Sequence, residues 1–114
     1  MPVSKTIVKK GNGAEVSRGQ YVTVHCKGSF QNGVVFWDTK DPMYDVFEFQ
    51  VGKQQVIKGW DEAIPGMRVG EIATITCGPD TAYGSQGFEA WGIPPHATLV
   101  FEIEIVACRE QRYL

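Results

Sequence analysis

A chain of 114 residues with 43% apolar and 21% charged side chains has the size and balance of one soluble domain. At that length it buries roughly two-thirds of the surface its unfolded form exposes, so neither a metal nor a disulfide is required for folding. Eleven basic against thirteen acidic side chains leave a formal charge of −2, whereas a nucleic-acid binder carries a basic excess or stripe, so no nucleic acid is expected as a partner.

The opening residues 1–13 lack the apolar region of a signal peptide. No stretch approaches the ~20 apolar residues of a membrane span, and the C-terminal Arg112-Tyr113-Leu114 matches no retention or lipidation signal. A cytosolic monomer with no membrane partner is therefore expected, with the nucleus open to so small a protein. Cys26, Cys77 and Cys108 have no metal-ligand spacing, and neither metal nor cofactor is expected.

In chain order, residues 2–9 fit an edge strand ended by Gly11-Asn12-Gly13. Across Tyr21–Gly28 the apolar Val22, Val24 and Cys26 alternate with Thr23, His25 and Lys27, the period-two pattern of a strand with one buried face. Asn32-Gly33 is a hairpin turn signal. Phe47, Phe49 and Val51 alternate with Glu48 and Gln50, and Phe49 is the best core candidate. Ile57, Trp60 and Ile64 stand at helical spacing, and Pro65 closes that segment. Such a helix has about two turns and is unstable alone, so its Ile57/Trp60/Ile64 face must pack on the sheet. Glu71–Cys77 and Leu99–Ile105 complete the strands. The fold class is α+β: an antiparallel sheet folded around one short helix.

Conventional catalytic groups are missing. There is no phosphate loop, nucleophile elbow or zinc-protease motif. His25 falls on the outer face of its strand and His96 in the turn Pro94-Pro95-His96. Asp61 and Glu62 fit a solvated helix face, and Asp80 a turn. Aromatic rings are abundant instead. Most belong in a core, but Phe88 and Trp91 lie in the Gly/Pro-bounded loop 84–95, where large apolar groups cost solubility unless they line a site.

Three segments carry a resemblance. The run from Val51 to Glu62, through Ile57-Lys58-Gly59-Trp60, resembles the helix-entry segment of FKBP-type peptidyl-prolyl isomerases. Ala82-Tyr83-Gly84 followed by Ile93-Pro94-Pro95-His96-Ala97-Thr98-Leu99-Val100-Phe101-Glu102 looks like the family's second signature, and Thr23–Gly28 like its second strand. The combination Val-His-Cys, Phe-Trp and Ala-Trp-Gly-Ile looks more like plant or algal-type members.

This resemblance implies a five- or six-stranded antiparallel half-barrel wrapped around the helix, a single domain over residues 1–114. It implies a rotamase assisting protein folding and acting on proline-containing peptides and proteins. It also implies that the pocket binds macrolides such as tacrolimus and rapamycin, with a kinase or phosphatase as ternary partner if the loops at 39–46 and 84–92 permit. A proline-binding module with little turnover is the competing reading. By motif match Phe36, Phe47, Val56, Ile57, Trp60, Tyr83, Ile93 and Phe101 would line the pocket, with Trp60 its floor. The Ile57 N–H and the Tyr83 hydroxyl would bind ligand carbonyls.

Cys26, Trp37 and Trp91 make the expected rim unusual. Cys26 stands where the family commonly has Tyr, and Phe36-Trp37 where it has Phe-Asp. Either Asp38 supplies the carboxylate through a shifted backbone, or the carboxylate is absent and Trp37 faces elsewhere. Cys26 and Cys77 would form a redox-sensitive pair if their strands are neighbours; two ordinary buried thiols are the alternative.

Overall fold

The computed structural model describes residues 3–41 and 45–110. Residue 2 of the expected first strand, residues 42–44 of loop 39–46 and the C-terminal Arg112-Tyr113-Leu114 lie outside them. Among the described residues six strands form one antiparallel sheet: β1 (Ser4–Lys9), β2 (Tyr21–Phe30), β3 (Val35–Asp38), β4 (Phe47–Gln50), β5 (Ile72–Cys77) and β6 (Leu99–Arg109). One helix, α1 (Lys58–Ala63), runs between β4 and β5. The sheet order is β1-β5-β6-β2-β3, and β4 pairs with the other half of the β2 edge, so two short strands share one long neighbour. The sheet curls around the helix without closing into a barrel.

The alternation read from sequence sets the faces. On β6, Leu99, Phe101, Ile103 and Ile105 are buried while Glu102 is exposed. On β2, Val22, Val24 and Cys26 are buried and face the same core, which includes Phe49 and Val51. The turn at residues 30–33 closes through the Gly33 N–H donating to the Phe30 carbonyl at 2.9 Å, and the Asn32 side chain accepts from the Val34 N–H at 3.0 Å. Two short 3₁₀ turns, Pro79–Thr81 and Glu89–Trp91, interrupt the long excursion between β5 and β6.

The helix differs from its expectation at both faces. Ile57 is not helical: its extended backbone (φ −60°, ψ 153°) precedes the first turn, and its carbonyl accepts from the Trp60 N–H at 3.0 Å. Trp60 and Ile64 are buried as expected. Asp61, read as solvated, is buried as well; its carboxylate accepts from the Gly52 and Gln54 N–H groups, each at 2.9 Å. The loop before the helix folds back over this side chain, a tertiary event that local pattern does not report. Glu62 is exposed as expected.

Cys26 and Cys77 do not form a pair. Cys26 lies opposite Ile103 and Cys77 opposite Leu99, on the two sides of β6. Their strands are therefore not neighbours. Four residues along and two strands across place the Cα atoms about 13 Å apart in one direction and about 10 Å in the other, far beyond the ~7 Å limit for a bridge. All three cysteines are free.

Helix and sheet meet tightly at Gly59. A Cβ there would stand 2.4 Å from the Cys77 Sγ and 3.1 Å from the Thr81 carbonyl oxygen. Gly59→Ala is expected to destabilise the fold by about 1–3 kcal/mol through overpacking. Cys77→Ala in the same chain should return part of that loss. A denaturant double-mutant cycle checks it; additive costs would show that the contact is not the cause.

Candidate functional site

The curl of the sheet leaves a cavity of about 270 Å³ above the helix, lined by Phe36, Trp37, Phe47, Gln55, Val56, Ile57, Trp60, Tyr83, Phe88, Trp91 and Phe101. Each wall has its own origin. Phe47 comes from β4 and Phe101 from near the start of β6; Gln55, Val56 and Ile57 come from the segment that leads into α1. Tyr83, Phe88 and Trp91 belong to the excursion after β5. An adjoining cavity of about 280 Å³ shares Phe36, Trp37 and Trp91 and adds Ala90.

Trp60 forms the floor, packed against four rings. Its indole lies at 5.2 Å and 88° from Phe101, 5.7 Å and 55° from Phe49, 6.1 Å and 77° from Phe47, and 6.0 Å and 16° from Trp37. Such pairs add about 0.5–1.5 kcal/mol each beyond their area. The buried Trp60 Nε1 has no hydrogen-bond partner among the described residues, so packing, not polar contact, fixes the ring. On the outer wall Tyr83 stacks on Phe88 (5.2 Å, 13°), which meets Trp91 edge-on (5.6 Å, 71°), and Trp91 leans on Trp37 (5.4 Å).

A bulge in β3 brings Phe36 and Trp37 into the cavity together. In a regular strand, neighbours point to opposite faces. Here Gly28 pairs with Trp37 and Ser29 with Val35, so Phe36 is the extra residue and is re-aimed. Gly28 makes room for it: a Cβ at that position would stand 2.8 Å from the Phe36 Cζ and 3.1 Å from the Phe101 ring. Beyond Trp37 the pleat resumes, with Asp38 opposite Lys27.

That phase corrects the expectation for Asp38. It does not line the cavity; it opens on a separate charged cleft of about 180 Å³ formed by His25, Cys26, Lys27, Asp38, Lys40, Ile72, Glu102 and Glu104. Its Oδ1 accepts from the Lys40 N–H at 2.9 Å. The first alternative for this position fails and the second holds in part: the carboxylate is absent from the cavity, but Trp37 faces into it. Cys26 is also displaced from its expected role. It is buried in the core and borders the charged cleft, and its backbone N–H donates to the Thr39 hydroxyl at 2.8 Å. Ile93 is buried behind the wall rather than in the lining, hydrogen-bonded through its backbone to Phe88. Sequence reading missed Gln55 and named Phe88 only as a loop ring; the first is polar and gives no signal.

Within the cavity the polar groups are few. The Ile57 N–H makes no hydrogen bond among the described residues. Burial pushes the Tyr83 phenol above its ordinary range, so it remains a neutral O–H donor at neutral pH. The neutral form is favoured in the fold. This contribution to stability is therefore intact below the usual tyrosine pKa near 10 and is lost as pH rises through the higher folded value. Neither histidine reaches the lining. Among the described residues the site offers an apolar slot with few polar groups, the Ile57 amide and the Tyr83 phenol among them, and no group suited to proton transfer at neutral pH. Among the described residues no group of acidic, cysteine or histidine side chains could hold a metal ion.

A family model described as FKBP-type peptidyl-prolyl cis-trans isomerase matches residues 13–106. The chain is 52% identical over 109 residues to the peptidyl-prolyl cis-trans isomerase FKBP12 of Vicia faba, covering 93% of this chain and 97% of that one. It is 49% identical over 110 residues to the Arabidopsis thaliana protein of the same name, covering 94% and 98%. With FK506-binding protein 1 of Dictyostelium discoideum the identity is 48% over 107 residues, covering 93% and 97%.

The thiols give a direct check on this geometry. Burial raises the Cys26 thiol far above the usual cysteine range and pushes Cys77 up to about 12. Both therefore stay protonated and shielded at neutral pH. Cys108 is less buried. Mass spectrometry of the native protein after brief alkylation near neutral pH should find Cys108 modified first and no bridged Cys26–Cys77 species. Early modification of Cys26 would contradict its placement.

Proposed function

The chain belongs to the FKBP-type peptidyl-prolyl cis-trans isomerase family, and from that premise we propose that the cavity over Trp60 is where it turns the Xaa–Pro bond. Rotation about that bond faces roughly 18–20 kcal/mol, because the amide must lose its resonance, and the uncatalysed exchange takes tens to hundreds of seconds. No bond is made or broken, so neither nucleophile nor general base is needed.

The planar amide is strongly dipolar and the twisted amide less so. A dry, apolar slot disfavours the first relative to the second, and this lowers the barrier. The single observation that carries the reading is the slot itself: aromatic rings lining a cavity over Trp60, with the Ile57 N–H and the Tyr83 hydroxyl among its few polar groups. In this reading Phe36, Phe47, Trp60 and Phe101 hold the proline ring. Ile57 N–H and Tyr83 O–H anchor the flanking carbonyls, so that only one bond turns. A 10⁵-fold gain corresponds to roughly 7 kcal/mol, within reach of altered solvation plus orientation. A side chain next to proline has the adjoining cavity at Ala90 and Trp91 available.

The same slot is proposed to take one ring of a macrolide such as tacrolimus or rapamycin. Its volume of about 270 Å³ accommodates a ring of that size, not a whole macrolide. The rest of the ligand would lie over Phe88 and Trp91, which are 40% and 46% exposed; a kinase or phosphatase sharing that ligand would meet this rim. Support comes from the name of the Dictyostelium relative, an FK506-binding protein. Assistance to protein folding follows from the reaction, since prolyl isomerisation is slow enough to limit folding.

Trp60→Ala and Phe101→Ala are each expected to lower kcat/KM by at least about tenfold in a prolyl-peptide exchange assay, a loss of roughly 1.4 kcal/mol of transition-state binding. Removing a buried ring also costs about 3–5 kcal/mol of stability, so the half-buried Phe36→Leu is the companion variant. Unchanged rates in folded variants would remove the cavity from the mechanism. The pH–rate profile should be flat from about pH 6 to pH 9, because Tyr83, the one titratable side chain among the described residues that line the cavity, has its pKa raised away from that range; a bell-shaped profile would contradict the reading.

A further inference from the structure

We infer that Asp61 is a positioning residue for this reaction: it fixes the loop that presents Gln55, Val56 and Ile57 to the cavity. The inference rests on the proposal that the Ile57 N–H anchors the substrate.

Asp61 is the residue after the floor tryptophan, and it is only 8% exposed. Its two carboxylate oxygens are used separately, Oδ1 by the Gly52 N–H and Oδ2 by the Gln54 N–H, both at 2.9 Å. Its own backbone N–H donates to the Ile57 carbonyl at 3.3 Å. One residue thus closes a ring from Gly52 to the first turn of the helix. A charged acceptor makes such bonds shorter and stronger than neutral pairs do.

The loop needs that restraint. Gln54 has φ +60°, the left-handed region that side-chain-bearing residues rarely occupy, and Gly52 has φ +79°. A strained turn persists only where its surroundings over-determine it. The helix entry has no side-chain cap of its own, so nothing at Ile57 replaces the carboxylate. Gln55 is tied on the other side, its Oε1 accepting from the Gln50 N–H at 2.9 Å. Between these two ties the chain turns from β4 to the cavity wall and leaves the Ile57 N–H free.

Asp61→Asn keeps the shape but replaces one acceptor oxygen with a donor group, so one of the two N–H groups loses its partner. Asp61→Glu keeps the carboxylate. The anchor acts on substrate and transition state alike, so its displacement should appear mainly in KM. For Asp61→Asn, kcat/KM should fall about tenfold, with most of the change in KM. Amide hydrogen exchange should accelerate at Gly52 and Gln54 and stay unchanged in β2 and β6, and Asp61→Glu should recover part of both effects. Activity within twofold of wild type despite lost protection at Gly52 and Gln54 would overturn the inference, as would exchange rising equally in the strands or a Glu variant no better than Asn. If Asp61→Asn does not fold, Asp61→Glu decides alone: kept protection with kept activity supports it, and kept protection with lost activity overturns it. A parallel titration of the wild type with an Xaa-Pro peptide separates the two layers. If the Ile57 amide signal does not move, the anchoring proposal fails, whatever Asp61 does.

Discussion

The short helix cannot stand by itself, and Trp60 is the reason it does not have to. Six helical residues fall well below the length at which an isolated helix is stable in water. The indole is gripped by rings from β3, β4 and β6, and this packing holds the helix inside the curl of the sheet. One ring therefore serves two ends. Its buried surface anchors the fold, and its upper surface becomes the floor of the cavity. Because no polar contact among the described residues holds the indole, the walls and the floor are set by the same aromatic contacts.

Chemistry that depends on resonance asks little of side-chain acidity. The cavity provides shape, an apolar lining and few polar groups, and the charged groups of β2, β3 and β6 border a separate cleft. The charged cleft at His25, Asp38, Lys40 and Glu104, with its Lys40–Glu104 ion pair at 3.3 Å, lies among other residues. It would solvate a planar amide as water does and so gain nothing for rotation. Separation of the two sites follows from the phase of β3, where the bulge at Phe36 turns two successive rings inward and leaves Asp38 pointing out.

Much of this was legible in the sequence, for reasons that also explain the failures. Strands with one buried face announce themselves by alternation, so Val22, Val24, Phe49 and the Leu99–Ile105 series fell where expected. Trp60 was legible because helical spacing and the need for a packing partner agree. Trp37 also falls on the cavity, as its place on the expected rim implied, but Asp38 was not legible, since a one-residue bulge reverses the phase and leaves no mark in composition. The Cys26–Cys77 pairing depended on strand order, which alternation does not fix, and β6 runs between them. Asp61 misled because its burial is created by a loop that returns from Gly52–Gln54, a contact of the folded chain alone.

The central claim is that rotation happens over Trp60. It is tested most directly by nuclear magnetic resonance of one sample holding the protein and an Xaa-Pro peptide, with peptide cis–trans exchange and the protein's own signals followed together. The account predicts accelerated peptide exchange, together with saturable shifts of the Trp60 indole N–H and the Ile57 amide at the same peptide concentrations. Accelerated exchange with both signals unmoved would place the reaction elsewhere on the molecule and contradict it.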